Sequence, residues 1–155
     1  MMKIKVFFLF LAACMIGIAA NAQDNAINDE DLNRYAVAMD SIEHMKATLI
    51  ETITEMVKGN DEVSAGRYND LSKIIEDVAK LTEAEATPVE IEFVKTVAKK
   101  KEEETAKINA AFQSLAIDYI GAKTYNAVKK ALSEDEAVKA KYEALVEELS
   151  KADTK

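Results

Sequence analysis

Apolar positions recur at spacings of three and four along most of the chain, the period of a helix with one buried face. From Leu32 they fall at Tyr35, Met39, Ile42, Leu49, Ile53 and Met56, with Lys46 as the one gap in the stripe. Asn28 stands where an N-cap belongs, and Asp29, Glu30 and Asp31 load the first turn with the negative charge a helix dipole favours. Gly59-Asn60-Asp61 closes the pattern, which predicts a helix of about 30 residues and about 45 Å. A second helix is expected from Ser64 to Ala84, with Tyr68, Leu71, Ile75, Val78 and Leu81 on one face. Thr87-Pro88-Val89-Glu90 sets a capping Thr, a Pro at the first helical position and a Glu three residues after the cap. The helix it opens carries Phe93, Val94, Val97, Ile108, Phe112 and Leu115 to about Asp118, with a polar centre from Lys99 to Lys107. Gly121 interrupts it, a short helix bears Tyr125, Val128 and Leu132, and Ser133-Glu134-Asp135-Glu136 reads as a second capping box. The last helix presents Val138, Tyr142, Leu145 and Leu149. The expected fold is all-α, a bundle of four or five helices with two long amphipathic members. One Pro and 4 Gly leave too few turn residues for an all-β alternative.

A pattern occurs twice. A long helix followed by Tyr68-Asn69-Asp70-Leu71 recurs as a long helix followed by Tyr125-Asn126-Ala127-Val128, and Arg34-Tyr35-Ala36-Val37 corresponds to Glu92-Phe93-Val94-Lys95. This suggests an internal duplication with half-repeats over 29–84 and 88–151. Residues 92–149 resemble a bacterial family of exported helical proteins, domain-of-unknown-function family 4168. That family opens on an aromatic-Ala pair and a long charged helix, then shows a Gly, a Tyr-Asn-x-Ile, an Asp before the last helix and an apolar close. This chain answers with Phe93-Val94, Gly121, Tyr125-Asn126-Ala127-Val128, Asp135 and Val138. It departs at Val94, where Ala is usual, and at Val128. Residues 27–71 carry a looser copy in Ile27, Leu32, Tyr35-Ala36 and Tyr68-Asn69. The resemblance implies a helical fold and export, and no chemistry.

The first 22 residues read as a signal peptide. Lys3 and Lys5 make a basic start, Val6 to Ala20 is apolar but too short to span a bilayer comfortably, and Ala20-Asn21-Ala22 fits signal peptidase. Cleavage after Ala22 leaves a polar leader over 23–28 and one helical domain over 29–151, in the periplasm or secreted. The competing reading is a lipoprotein anchored through Cys14, since Leu11-Ala12-Ala13-Cys14 resembles a lipobox. Against it, Met15-Ile16-Gly17-Ile18 continues the apolar run. Cys14 is the one cysteine, so a chain cleaved at Ala22 holds no disulfide and relies on apolar packing.

Charge narrows the partners. The formal net charge of -8 becomes -10 once Lys3 and Lys5 are removed, which argues against nucleic acid and against adsorption to an anionic membrane. No later segment is long and apolar enough to span a membrane. A single His removes most catalytic arrangements. Asp40 and His44 share a helical face, but two ligands do not make a zinc site. Glu102-Glu103-Glu104 and Asp61-Glu62 lack both the cleft of an acid/base pair and the alternation of a Ca²⁺ loop, and the glycines form no phosphate cradle. No catalytic, cofactor-binding or metal-ligating residue is assigned, and no cofactor is expected.

Four residues remain as structural or partner candidates in the repeated motif, Tyr68, Asn69, Tyr125 and Asn126. Each Tyr either anchors a partner or fills the seam between helices, with its Asn bonding local backbone. The second reading fits better, because both rings fall on the apolar stripe. Lys46 either faces Glu103 or Glu104 across the two long helices and fixes their register, or the polar centre stands in water, held by pairs such as Glu103 with Lys107. A groove there is the natural seat for a partner helix. The functional expectation is an exported, non-enzymatic interaction or structural module of the cell envelope, its protein partner and oligomeric state unspecified. A small periplasmic chaperone is the alternative, suggested by Met39, Met45 and Met56 on one helix. A weak metal-dependent binder using His44 and the carboxylates comes third.

Overall fold

The structure is a computed structural model, and residues 27–152 are described. The expected signal peptide, the alternative lipobox reading at Cys14, the expected leader up to residue 26 and the last three residues lie outside them. Six α-helices follow in order, α1 Asp29–Lys58, α2 Ala65–Leu71, α3 Val78–Glu83, α4 Pro88–Ser114, α5 Ala122–Glu134 and α6 Glu136–Ala152. A π-helical turn, Leu115–Tyr119, joins α4 to the break before α5. The described residues are all-α, with two long helices.

The caps explain most boundaries. Asn28 accepts from the Asp31 N–H at 2.7 Å and starts α1. Thr87 accepts from Glu90 N–H at 3.3 Å while Glu90 accepts from Thr87 N–H at 2.8 Å, the reciprocal box the sequence predicts. Asp135 caps α6, accepting from the N–H groups of Ala137 and Val138. Ser133 is not that cap: α5 continues through it, and its hydroxyl donates to Lys130 O at 2.7 Å.

The expected second helix is two helices. After Leu71 the backbone tightens into bonds from Ile74 N–H to Leu71 O and from Asp77 N–H to Ile74 O, and Asp77 then caps α3 through Lys80 N–H. Ile74 and Ile75 still pack against the core of Leu71, Leu81 and Val94 across the break. Its cost falls on Val78, which is 76% exposed rather than on the buried face. The third helix likewise ends at Ser114 rather than about Asp118. The π turn, closed by Ile120 N–H to Leu115 O at 2.9 Å, buries Ala116 and Ile120 and turns Ile117 outward.

Two cores result. The first joins Leu32, Tyr35 and Ala38 of α1 to Ala116, Ile120, Tyr125 and Val128, with Val138, Tyr142 and Leu145 of α6 packed against it. The second joins Leu71 and Leu81 to Val94 of α4, with Tyr68, Ile74 and Ile75 beside them. The start of α1 therefore meets the end of α4, so the long helices run antiparallel. Outside the two cores, Ile42 and Val57 of α1, Val63 after it, and Val97 and Ile108 of α4 are also enclosed. The stretch between the cores, where α1 packs on α4, is a waist.

Candidate interaction surface

The repeated tyrosines are built into the cores. Tyr125 is 8% exposed, its ring 5.4 Å from Tyr35 and 5.7 Å from Phe112. Tyr142 closes edge-on against Tyr35 at 5.8 Å. Burial pushes the Tyr35 phenol far up, the neighbouring Tyr125 and Tyr142 adding to it, and burial raises Tyr125 and Tyr142 as well. At the other end Tyr68 is half-buried and meets Phe93 edge-on at 6.1 Å. The repeat pairs Tyr35 with Phe93 and Tyr68 with Tyr125, so the two contacts are reciprocal: each half's tyrosine packs on the other half's long helix.

The asparagines behave differently from expectation. Both Asn69 and Asn126 are exposed. The local bond at Asn69 runs the other way, from Ser72 Oγ to the Asn69 carbonyl at 3.1 Å. The four motif residues stand at opposite ends of the molecule and form no common site.

Lys46 does not face Glu103 or Glu104. Its ammonium lies 2.7 Å from Glu43 one turn back on α1. Glu104 sits between Lys100 at 2.9 Å and Lys107 at 2.8 Å, and Glu103 is 3.9 Å from Lys99. Bonds from Lys107 and Lys100 hold the Glu104 carboxyl below the usual range, and Glu104 raises Lys107 in return. Charges three and four residues apart on one helix satisfy one another without reaching across, so the polar centre stands in water. The partner of Lys107 is Glu104, not Glu103.

Arg67 and Glu90 form a long-range ion pair that the periodicity does not reveal. Arg67 of α2 donates through Nε to Glu90 Oε1 at 2.6 Å and through Nη2 to Glu90 Oε2 at 3.0 Å, a two-pronged grip. The same Nη2 reaches Ala84 O at 2.9 Å and Glu85 O at 3.4 Å. Glu90 also takes the Thr87 N–H, and its carboxyl drops to about 2, chiefly through Arg67. The available signal was that Arg67 is one of two arginines, directly before Tyr68 and within the same half as the Ala84 turn.

Among the described residues no charged side chain is buried, the Tyr35 and Tyr125 phenols are the polar groups enclosed, and no group of three His, Cys, Asp or Glu side chains gathers to hold a metal. His44 is exposed on α1. What the surface offers is apolar. Along the waist Met45, Leu49, Ile53 and Met56 form a half-buried row on α1, and Ile50 beside it is 67% exposed. Ile117 and Tyr119 project at the π turn, and a shallow depression of about 490 Å³ on α4 is lined by Pro88, Ile91, Glu92, Lys95, Thr96 and Lys99. No described helix is long and apolar enough to cross a membrane. Comparison with protein-family models, with curated proteins and with solved structures returns no match.

Proposed function

We propose that the chain is an exported, non-enzymatic helical module of the cell envelope whose waist receives a protein partner. The observation that carries this reading is the half-buried row Met45, Leu49, Ile53 and Met56 on α1, flanked by Ile50 at 67% exposure. An amphipathic helix laid along that row buries apolar surface on both sides, the usual way a helix groove recruits a partner. Export is supported by the basic start, apolar run and Ala20-Asn21-Ala22 of the first 22 residues, and by the features shared with domain-of-unknown-function family 4168 at Phe93, Gly121, Tyr125-Asn126 and Asp135. The net charge of -8 favours a protein partner over nucleic acid.

A photo-crosslinking residue at position 50, in protein expressed in its native envelope, tests the surface. A discrete adduct there, missing when the same residue replaces Lys139 on α6, supports a docked partner. Equal labelling at both positions refutes it. The intact mass of the purified protein tests export: it should begin at Gln23, and an acylated Cys14 would move the module to the membrane surface.

Met45 and Met56 favour one second reading, a small chaperone. Both lie half-buried on the waist instead of in a core, where their flexible thioethers present an adaptable apolar surface. Suppression of a client's aggregation at equimolar ratio, weakened by Met45→Lys, separates this from a dedicated docking module.

A further inference from the structure

The turn between the two halves is short, strained and tied down. Helix α3 ends with Glu85 N–H bonded to Thr82 O at 3.0 Å and Ala86 N–H to Leu81 O at 2.9 Å, the double closure that needs a left-handed residue at its corner. Glycine usually fills that corner. Here it is Glu85, at φ 50, the one non-glycine residue with positive φ among those described. Thr87 follows, extended at ψ 155 because Pro88 forbids it a helical conformation. Arg67 then bridges the turn's carbonyls at Ala84 and Glu85 to Glu90 at the start of α4.

Both cores are made by the two halves together. The first takes Leu32, Tyr35 and Ala38 from one half and Ala116, Ile120, Tyr125 and Val128 from the other, and the second takes Leu71 and Leu81 against Val94. The ion pairs Arg67–Glu90 and Lys141–Asp29 also cross between halves. Nothing in these contacts requires both halves to belong to one chain; residues 84–87 alone impose that.

We propose that the chain exchanges halves with a second copy of itself, forming a dimer in which residues 29–84 of each chain pack on residues 88–152 of the other. The exchanged dimer keeps both cores and both ion pairs twice over and frees Glu85 from its left-handed corner. The short tether opposes it, since it holds the halves at an effective concentration in the millimolar range. Strained short hinges are what tips that balance toward exchange. Because separating the halves opens both cores, exchange is slow and proceeds through refolding. This inference is independent of the partner at the waist.

The experiment refolds the full chain from denaturant at micromolar and at near-millimolar concentration and reads mass by light scattering on a sizing column. The expected result is a monomer in the first case and, in the second, a dimer that survives dilution for hours. Glu85→Gly relieves the corner without breaking the turn and lowers the dimer fraction several-fold. Deleting Glu85 and Ala86 prevents closure within one chain and gives a dimer at all concentrations. Two isotopically labelled batches should form mixed dimers only when refolded together. A wild-type chain that stays monomeric throughout, a dimer that falls apart within minutes of dilution, or a dimer fraction unchanged by Glu85→Gly overturns the proposal, whether or not the deletion variant folds.

Discussion

Replacing Glu90 by Gln tests how much its two-pronged pair with Arg67 contributes to holding the two halves. The substitution removes the charge that Arg67 clasps but leaves an amide oxygen able to accept from Thr87 N–H, so the capping box survives. The Glu90 carboxyl falls from an ordinary 4.5 to about 2, led by the Arg67 bond and then the Thr87 backbone. At 1.36 kcal/mol for each pKa step, a fall of about 2.5 sets a ceiling of about 3.4 kcal/mol. The Arg67 and Glu90 side chains are 32% and 15% exposed, and solvent screening brings the expected value to about 1–2 kcal/mol. A depressed carboxylate pKa means the folded state favours the charged form. This stabilisation is therefore complete above pH 4.5 and drains away as pH falls toward 2. Urea unfolding followed by circular dichroism at pH 7, 5, 3 and 2 should show Glu90→Gln less stable by about 1–2 kcal/mol at neutral pH, the gap closing to zero near pH 2. A gap that stays constant across that range, or is absent at pH 7, would refute the electrostatic account and leave the pair as packing only.

Tyr125→Ala should cost about 3–4 kcal/mol and Tyr68→Ala about 2, because the first ring is fully enclosed between Tyr35 and Phe112 and the second is half-exposed. Equal losses in urea unfolding would contradict that ordering. Gly121→Ala should cost about 1–2 kcal/mol through backbone alone, since φ is 91° and an added Cβ meets nothing within 4 Å. A thermal unfolding midpoint unchanged by the substitution would show that the break before α5 tolerates another geometry. Ile50→Lys should leave stability within about 0.5 kcal/mol at neutral pH while abolishing capture of a partner by a photo-crosslinking residue placed at the exposed Thr54 one turn along, separating surface from scaffold.

The long elements were readable because their signals agreed: Asn28 and Thr87 cap helices whose apolar spacing runs on for many turns. The break at residues 72–77 was not, since Leu71, Ile75, Val78 and Leu81 keep helical spacing across it. What marks it is local and leaves the apolar spacing unchanged: the tight bonds from Ile74 N–H to Leu71 O and from Asp77 N–H to Ile74 O, and the Asp77 cap on Lys80 N–H. The π turn escaped for a similar reason, because one extra residue per turn shows only as a slip between Leu115 and Ile120, the pair its wide bond joins. The register pair expected at Lys46 failed because closer carboxylates on its own helix satisfy it first, Glu43 at 2.7 Å. Arg67–Glu90 joins residues 23 apart through a turn no periodicity encodes. Tyr68 and Tyr125 were legible as seam-fillers, whereas the reciprocity of their contacts needed the antiparallel arrangement of α1 and α4.

The two cores differ in how far along the chain their parts must travel. The second is assembled within residues 68–94, so a short loop closes it. The first draws Leu32 and Tyr35 to Tyr125, Val128 and Tyr142, and its rim pair Lys141–Asp29 joins residues 112 apart. Closing the longer loop costs about 1 kcal/mol more in chain entropy before any contact rewards it. On this ground the second core is expected to form early in folding, and the docking of α1 onto the first core to come last, sewing the opening helix to the closing one. Substitutions such as Leu71→Ala should slow folding, and those at Tyr125 should mainly hasten unfolding. Until that final step the helices around the first core are unsheltered, so a chain arrested part-way exposes its beginning and its end together while its middle is already set.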